Sequence, residues 1–483
     1  MSDKMIEPFR LANRMRNLLI PVLFMAIVWF NLLFPFPTGP ADNGDFTRIF
    51  ASFSSGPLNY EFWPSPADNK IYHERFYTYY HRFWRRDGGK KGFGHFSSSC
   101  LIFWPGRLLE WNSSLFDLAW NSFLVVLITG LFLYFCLKKV NDLYAALSLG
   151  IFAILMADVN IAGYLNSFYQ ESGTFFSFLL LVFALHVFYV RRTLISLSVV
   201  TVLALILAAT KVVFIPSVLI AVPSILIGTL FLCGGDAQIR RITIIGVSLM
   251  FLASFFLARA MISTPGNERQ ANCYHFIFAA AVPRLDPAQG RNYLHELGLD
   301  PSLIALSGKD AYQADSQMEK LRPVLTTQLQ AKAIAILAFY HPGAFFQSIR
   351  LSFSEAGFYP CLCNPPLRVS PTAKTPFKWD AWSRLHCSLF HGSFYFVMVF
   401  AVMGFLGALV KTQKVSGWPL FHLILAASFL PAALLQIFIS VLGNGPFDIE
   451  KHQYLANLLL DAAFVFSLTG LVKLAIALRK KGR

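Results

Sequence analysis

Long apolar runs separated by short basic stretches dominate the chain. A search for stretches of ~17–25 apolar residues, the length that crosses a hydrocarbon core, predicts spans near 18–36, 115–136, 143–164, 174–190, 194–210, 212–233, 242–262, 393–410, 418–442 and 455–475. Only Thr210-Lys211 separates the fifth from the sixth. Lys and Arg collect on the cytoplasmic side of membrane helices, and Arg10, Arg14 and Arg16 precede the first span. Further clusters (Lys138/Lys139, Arg191/Arg192, Arg240/Arg241, Lys411/Lys414 and Arg479/Lys480/Lys481/Arg483) follow at every second boundary. Ten spans set all six clusters on one face, whereas nine or eleven would put the last on the other. The predicted fold is an all-α polytopic membrane protein with about ten transmembrane helices and both termini cytoplasmic.

This pattern divides the chain into a cytoplasmic N-terminus with the first span (1–36), a first extracytoplasmic loop (37–114) and a bundle of about six spans (115–262). A large extracytoplasmic segment (263–392) and the last three spans with a basic tail (393–483) complete it. Within the large segment, Ala331 to Tyr340 is apolar but too short to span. With Phe345, Phe346 and Ile349 it reads as two short helices broken at His341-Pro342 and lying on the membrane surface. The first 17 residues are basic, and the apolar stretch after them lacks a small-residue cleavage site, so it reads as an anchor.

Composition agrees. Hydrophobic residues make up 55% of the chain and charged residues 14%, too little polar surface for a soluble domain. The 49 Phe, 17 Tyr and 9 Trp suit lipid-facing helices and interfacial belts. A formal charge of +15 does not point to nucleic acid, because the basic residues flank apolar segments and form no long run interleaved with aromatics. Lipid headgroups or the phosphate of a lipid carrier are the anionic partners it implies. Of seven cysteines, Cys136 and Cys233 fall in spans and the other five face outward, where an oxidising compartment would allow disulfides. Cys361-Leu-Cys363 lacks a second pair for a zinc site, and no cofactor or metal is implied.

Four polar clusters could carry chemistry. Asp42-Asn43-Gly44-Asp45-Phe46-Thr47-Arg48 opens the first loop, with two carboxylates straddling an Asn-Gly turn just above the first span. One of them could serve as general base toward a hydroxyl, or orient a cation or substrate. The plainer reading is an Asx turn capping a short helix, with Arg48 paired nearby. Asn166-Ser167-Phe168-Tyr169-Gln170-Glu171 forms the turn between the third and fourth spans and would lie near residues 42–48 in a compact bundle. Asp158 and Asn160 sit deeper, where polar groups usually face the protein interior or a cavity, while Glu171 could equally be a solvated turn residue. Lys211, with no other charge nearby in sequence, could bind a lipid phosphate or snorkel to the interface. Finally, Asp448-Ile-Glu450-Lys451-His452 precedes the last span, which carries Asp461. Lys451 and His452 could grip a phosphate or serve in acid–base work, or the segment could be a solvated helix start. His275, His341 and His386 are scattered, and Asn112-Ser-Ser has the form of a glycosylation sequon. Nucleotide-binding, zinc-protease and hydrolase-elbow motifs are absent in usable contexts.

In order along the chain, Asn-Gly-Asp-Phe-x-Arg (43–48), Asn-Ser-Phe-Tyr-x-Glu (166–171) and Lys-Val-Val-Phe-Ile-Pro (211–216) resemble the WsfD-type hexose transferases of bacterial surface-glycan biosynthesis. The stretches 297–308 and 450–461 are similar to that family's outer segment and final helix. The resemblance implies a GT-C-like glycosyltransferase of the bacterial cytoplasmic membrane, taking a hexose from polyprenyl phosphate at the outer face. Its essential acidic residue would map onto Asp42 or Asp45; together with the clusters above, the expected catalytic residues are Asp45, Asp42 and Glu171, with Arg48, Asn166, Lys211, Lys451 and His452 binding the substrates. The expected partners are the lipid-linked donor, a glycan or lipid-linked acceptor, and membrane lipids, with no nucleic acid. Where relatives often read Tyr-Gly-Glu, this chain has Tyr169-Gln170-Glu171. A transporter or flippase, or a non-catalytic assembly subunit, is the competing expectation. Transporters tend to show internal repeats and helices broken at the midplane.

Overall fold

A computed structural model describes residues 3–40, 46, 49, 56–57, 82–85, 97–109, 113–140, 142–232, 237–263, 268–311, 315–354, 356–359, 378–389, 417–447 and 449–481. The long helices of its first half are α1 (Asp3–Leu33), α2 (Leu118–Val140), α3 (Leu143–Met156), α4 (Gln170–Arg191), α5 (Leu194–Ala208), α6 (Ile215–Leu232) and α7 (Ala237–Ser263). The second half adds α8 (Thr327–Tyr340), α9 (Pro342–Ser354), α10 (Ala381–Leu389), α11 (Trp418–Asn444) and α12 (Tyr454–Lys481). Among the described residues seven helices are long and apolar enough to cross a membrane, or eight with one bent pair counted as a single span. The predicted span at 393–410 lies outside the described residues.

The helix ends follow local chemistry. Residues 115–117 were expected to begin a span but form a strand, β3 (Leu115–Asp117), which pairs with β2 (Phe83–Arg85), itself paired with β1 (Gly56–Pro57). The Asp117 carboxylate accepts the Ala119 N–H at 2.9 Å, and it takes a two-pronged bond from Arg82 at 2.9 and 2.6 Å. That cap fixes the start of α2 at Leu118. At the far end of α4, Arg192 adopts φ +46°, and Thr193 with Ser196 forms a capping box that reverses the chain into α5.

The stretch read as one span at 143–164 is not continuous. Helix α3 and the turn at 159–166 meet at 70° around Asp158, whose carboxylate accepts the N–H of Asn160 at 2.9 Å and of Ser383 at 2.8 Å. Hydropathy cannot register this, since Ala157 and Val159 are as apolar as a continuous helix would need. Helix α5, with 15 residues, is shorter than a full crossing and ends where the Thr210-Lys211 break was expected. Helices α8 and α9 are broken at His341, as the His341-Pro342 pair predicted. Phe339, Tyr340 and Phe346 there are 82%, 73% and 65% exposed, an apolar edge suited to a membrane surface.

Helix α4 is central: 83% of its apolar window is buried, against 22% for α7 at the periphery. It packs on α2 and α5, while α11 packs on α6 and α12. A segment from the second half of the chain is keyed into one end of this bundle by buried polar contacts. The Asn31 side chain donates to Ala157 O at 2.9 Å and accepts the Trp379 N–H at 2.8 Å. Lys378 Nζ donates to Asn31 O at 2.7 Å and Phe34 O at 2.5 Å. Asn457 accepts the Gly357 N–H at 3.1 Å and donates to Phe358 O at 2.9 Å.

Candidate functional site

The turn after the bend brings the candidate residues together. Ser167 caps it by accepting the Tyr169 N–H at 3.2 Å, and Asn166 Nδ2 donates to Leu32 O at 3.0 Å and Thr38 O at 2.6 Å. Asn166 was expected to face a substrate, but its amide N–H groups instead tie the turn to the end of α1. Glu171 then falls in the first turn of α4, where the helix dipole favours a carboxylate.

Glu171 is 1% exposed, so the solvated-turn alternative fails. It forms a buried ion pair with Lys211, which is 7% exposed at the break between α5 and α6. Lys211 is thus neither lone nor snorkelling, and its partner lies 40 residues away in sequence. The walls around the pair are hydrogen-bonded. Thr174 Oγ1 donates to Thr210 Oγ1 at 3.0 Å, Ser97 Oγ donates to Thr210 O at 2.8 Å, and Ser99 Oγ donates to Gln170 O at 2.8 Å. Residues 97–103 therefore pack directly on the N-terminus of α4, and Gly173 leaves room for Ser99, whose Cα would lie 2.6 Å from an added Cβ.

Aromatic rings connect this pair to the other clusters. Phe46, the residue after Asp45, is 1% exposed, with its ring centroid 4.7 Å from Tyr169 and 5.9 Å from Phe168. The first-loop motif and the 166–171 turn do meet at Phe46, as compactness required. Asp42, Asp45 and Arg48 themselves lie outside the described residues. Lys451 Nζ sits 4.8 Å from the Tyr169 ring centroid, so the turn before α12 joins the same site. His452 is used differently: its Nε2 accepts from Asn444 Nδ2 at 2.9 Å, and Asn444 Oδ1 lies 3.4 Å from His275 Nδ1. His275 Nε2 in turn accepts the Ala311 N–H at 3.1 Å, so both histidines belong to a network linking the segment after α7 to the turn before α12.

A second polar cluster continues along α12. From Tyr169 the rings run to Tyr164 at 5.8 Å, Tyr454 at 4.9 Å and Tyr359 at 6.2 Å. Tyr359 donates to Asp461 Oδ2 at 2.8 Å, and His386 Nδ1 lies 2.5 Å from Asp461 Oδ1. Burial and then the Asp461 carboxylate hold the Tyr359 phenol well above its ordinary range, so it acts as a donor. In the sequence Asp461 stands out inside the last span, whereas His386 is isolated and Tyr359 and Lys378 carry no local signal. Tyr454, Asn457 and Asp461 recur on one face of α12, a polar stripe that the helical period could have revealed. Of the cysteines expected to face outward, Cys273 and Cys387 are free thiols, and burial pushes that of Cys273 up to about 12.

These features define a polytopic α-helical membrane protein with a buried, charged and aromatic site at one end of its bundle. The family model described as the YfdI N-terminal transmembrane domain matches residues 4–483, and the chain belongs to that family. No curated protein and no solved structure matches it.

Proposed function

We propose that the protein is a GT-C-like glycosyltransferase, akin to the WsfD-type enzymes, that moves a hexose from a polyprenyl-phosphate carrier to a surface-glycan acceptor. The observation that supports this best is the meeting of Phe46, Tyr169, Glu171, Lys211 and Lys451 at one end of the bundle. In sequence, Phe46 directly follows the acidic motif. On this reading the site faces the outer side of a bacterial cytoplasmic membrane, with both termini in the cytoplasm.

Asp45 or Asp42 takes the proton of an acceptor hydroxyl. The hydroxyl oxygen bonds to the anomeric carbon as the bond from that carbon to the phosphate oxygen breaks, and the carrier phosphate leaves with the electron pair. Lys451, with Arg48, meets the phosphate. Lys211 holds Glu171 in place at the head of α4, and the buried pair positions the Tyr169 turn against which the incoming sugar lies. The transporter reading expected helices broken at the midplane. The 70° bend at Asp158 lies ~21 Å from the start of α3, and its backbone and carboxylate are bonded to Trp379 and Ser383.

Purified protein in detergent, given a polyprenyl-phosphate hexose and the cell's own glycan acceptor, tests the reading. Transfer should be measurable and should vanish in the Asp42→Asn/Asp45→Asn double variant while elution and thermal unfolding stay unchanged. Undiminished transfer by the folded double variant would refute the assignment.

A further inference from the structure

Helix α4 carries Glu171 at one end and Arg191 at the other. Its 22 residues span ~33 Å at 1.5 Å per residue, about the thickness of a hydrocarbon core. Arg191 therefore stands at the headgroup level opposite the candidate site. Beside it a cleft of about 390 Å³ runs between α2, α4 and α5. Its walls are apolar, with Phe132 and Phe135 on one side and Ile195 and Val199 on the other, while Lys139 and Arg191 stand where the helices end. Phe132 lies seven residues before Lys139 on α2, so the apolar part extends ~10 Å below the charges.

The two cations suit a ligand with one anionic group. Among the described residues neither pairs with a carboxylate, and no Asp or Glu lines the cleft. Neighbouring Arg192 is committed elsewhere: it folds back through its positive φ, donates from Nε to Tyr189 O at 3.1 Å and lies over the Tyr189 ring. The hydroxyls of Thr193 and Ser196 close the capping box of α5 and do not screen the charges. Ile195 and Phe135 are 78% and 58% exposed, so the apolar wall continues onto the flank that lipid would cover.

We propose that this cleft is a binding site for an anionic glycerophospholipid of that leaflet. Its phosphate sits between Lys139 and Arg191, and an acyl chain lies against Phe132, Phe135 and Val199. Basic pockets between transmembrane helices bind such headgroups, and the apolar depth here selects a lipid over a soluble anion. The site is independent of the transfer reading and lies at the other end of α4.

The test uses delipidated full-length protein in neutral detergent and counts retained lipid by native mass spectrometry. The probes are dioleoyl-phosphatidylglycerol, dioleoyl-phosphatidylcholine and inorganic phosphate. The wild type should retain phosphatidylglycerol in preference to phosphatidylcholine, and excess inorganic phosphate should not displace it. Lys139→Gln/Arg191→Gln, two exposed positions, should weaken phosphatidylglycerol about 30-fold. Val199→Trp keeps both charges but fills the apolar depth, and it should weaken phosphatidylglycerol as well. Equal affinity in the wild type and the double variant, equal retention of the two lipids, displacement by phosphate, or undiminished binding by Val199→Trp would each overturn the proposal.

Discussion

Removing one member of the Glu171–Lys211 pair should harm the protein far more than removing both. The side chains of Lys211 and Glu171 are 8% and 1% exposed. Glu171→Leu leaves an enclosed ammonium without its counter-charge, and Lys211→Met leaves an enclosed carboxylate. Breaking a buried pair in this way costs ~3–5 kcal/mol, whereas replacing both partners by apolar groups of similar volume is often near neutral. Each single variant should therefore lose about 4 kcal/mol, and Glu171→Leu/Lys211→Met should recover to within ~1–2 kcal/mol of the wild type. SDS-induced unfolding in mixed micelles, followed by tryptophan fluorescence, measures all four corners of the cycle. Single losses below ~1 kcal/mol, or a double variant that merely sums the two, would show that the pair is not enclosed as described. The double variant also separates roles: if it is stable yet inactive in hexose transfer, the pair acts in the reaction as well as in the fold.

Other outcomes follow from neighbouring contacts. Gly173→Ala drives a Cβ to 2.6 Å from the Ser99 backbone and should cost about 1–3 kcal/mol in thermal unfolding, while Gly343→Ala, with nothing within 4 Å, should be neutral. Tyr359→Phe removes the 2.8 Å donor to Asp461 and should destabilise by about 1–3 kcal/mol, and an unchanged melting curve would remove Tyr359 from that network. Asp300 accepts the Ser302 N–H at 2.8 Å, which lowers its carboxyl below the ordinary 3.8. Its stabilising effect is thus complete above that value and is lost as pH falls through the lower folded-state value. Asp300→Ala should trail the wild type at neutral pH and converge with it under acid.

Much of the bundle was legible because transmembrane helices declare themselves by length and composition. The Thr210-Lys211 break and the kink at His341-Pro342 were also readable, since a charge and a proline each interrupt an apolar run locally. The bend at Asp158 was not, because the local cap on Asn160 is joined by a bond from the N–H of Ser383, 225 residues later. Pairing was equally hidden. Glu171 and Lys211 are both visible in the sequence, yet nothing local says that α4 and α5 run antiparallel and end side by side. Asp461 was noticed, but its partners Tyr359 and His386 lie 102 and 75 residues away. Polar residues at depth announced that partners must exist without naming them. Asn166 and His452 belonged to the right neighbourhood, but Asn166 Nδ2 serves backbone carbonyls and His452 Nε2 serves Asn444.

The keying of residues 378–386 into the bundle sets an order of events during synthesis. Asn31 is 348 residues ahead of Trp379, and Asp158 is 225 ahead of Ser383. At 5–20 residues per second, a ribosome needs roughly 10–45 s to travel from Asp158 to Ser383. For that interval the nascent first half carries a carboxylate and an amide that each lack one of their final partners. Water or lipid headgroups at the membrane surface must serve them in the meantime. The first half thus cannot reach its final packing while it emerges, and it closes only when the late segment arrives to displace those provisional partners.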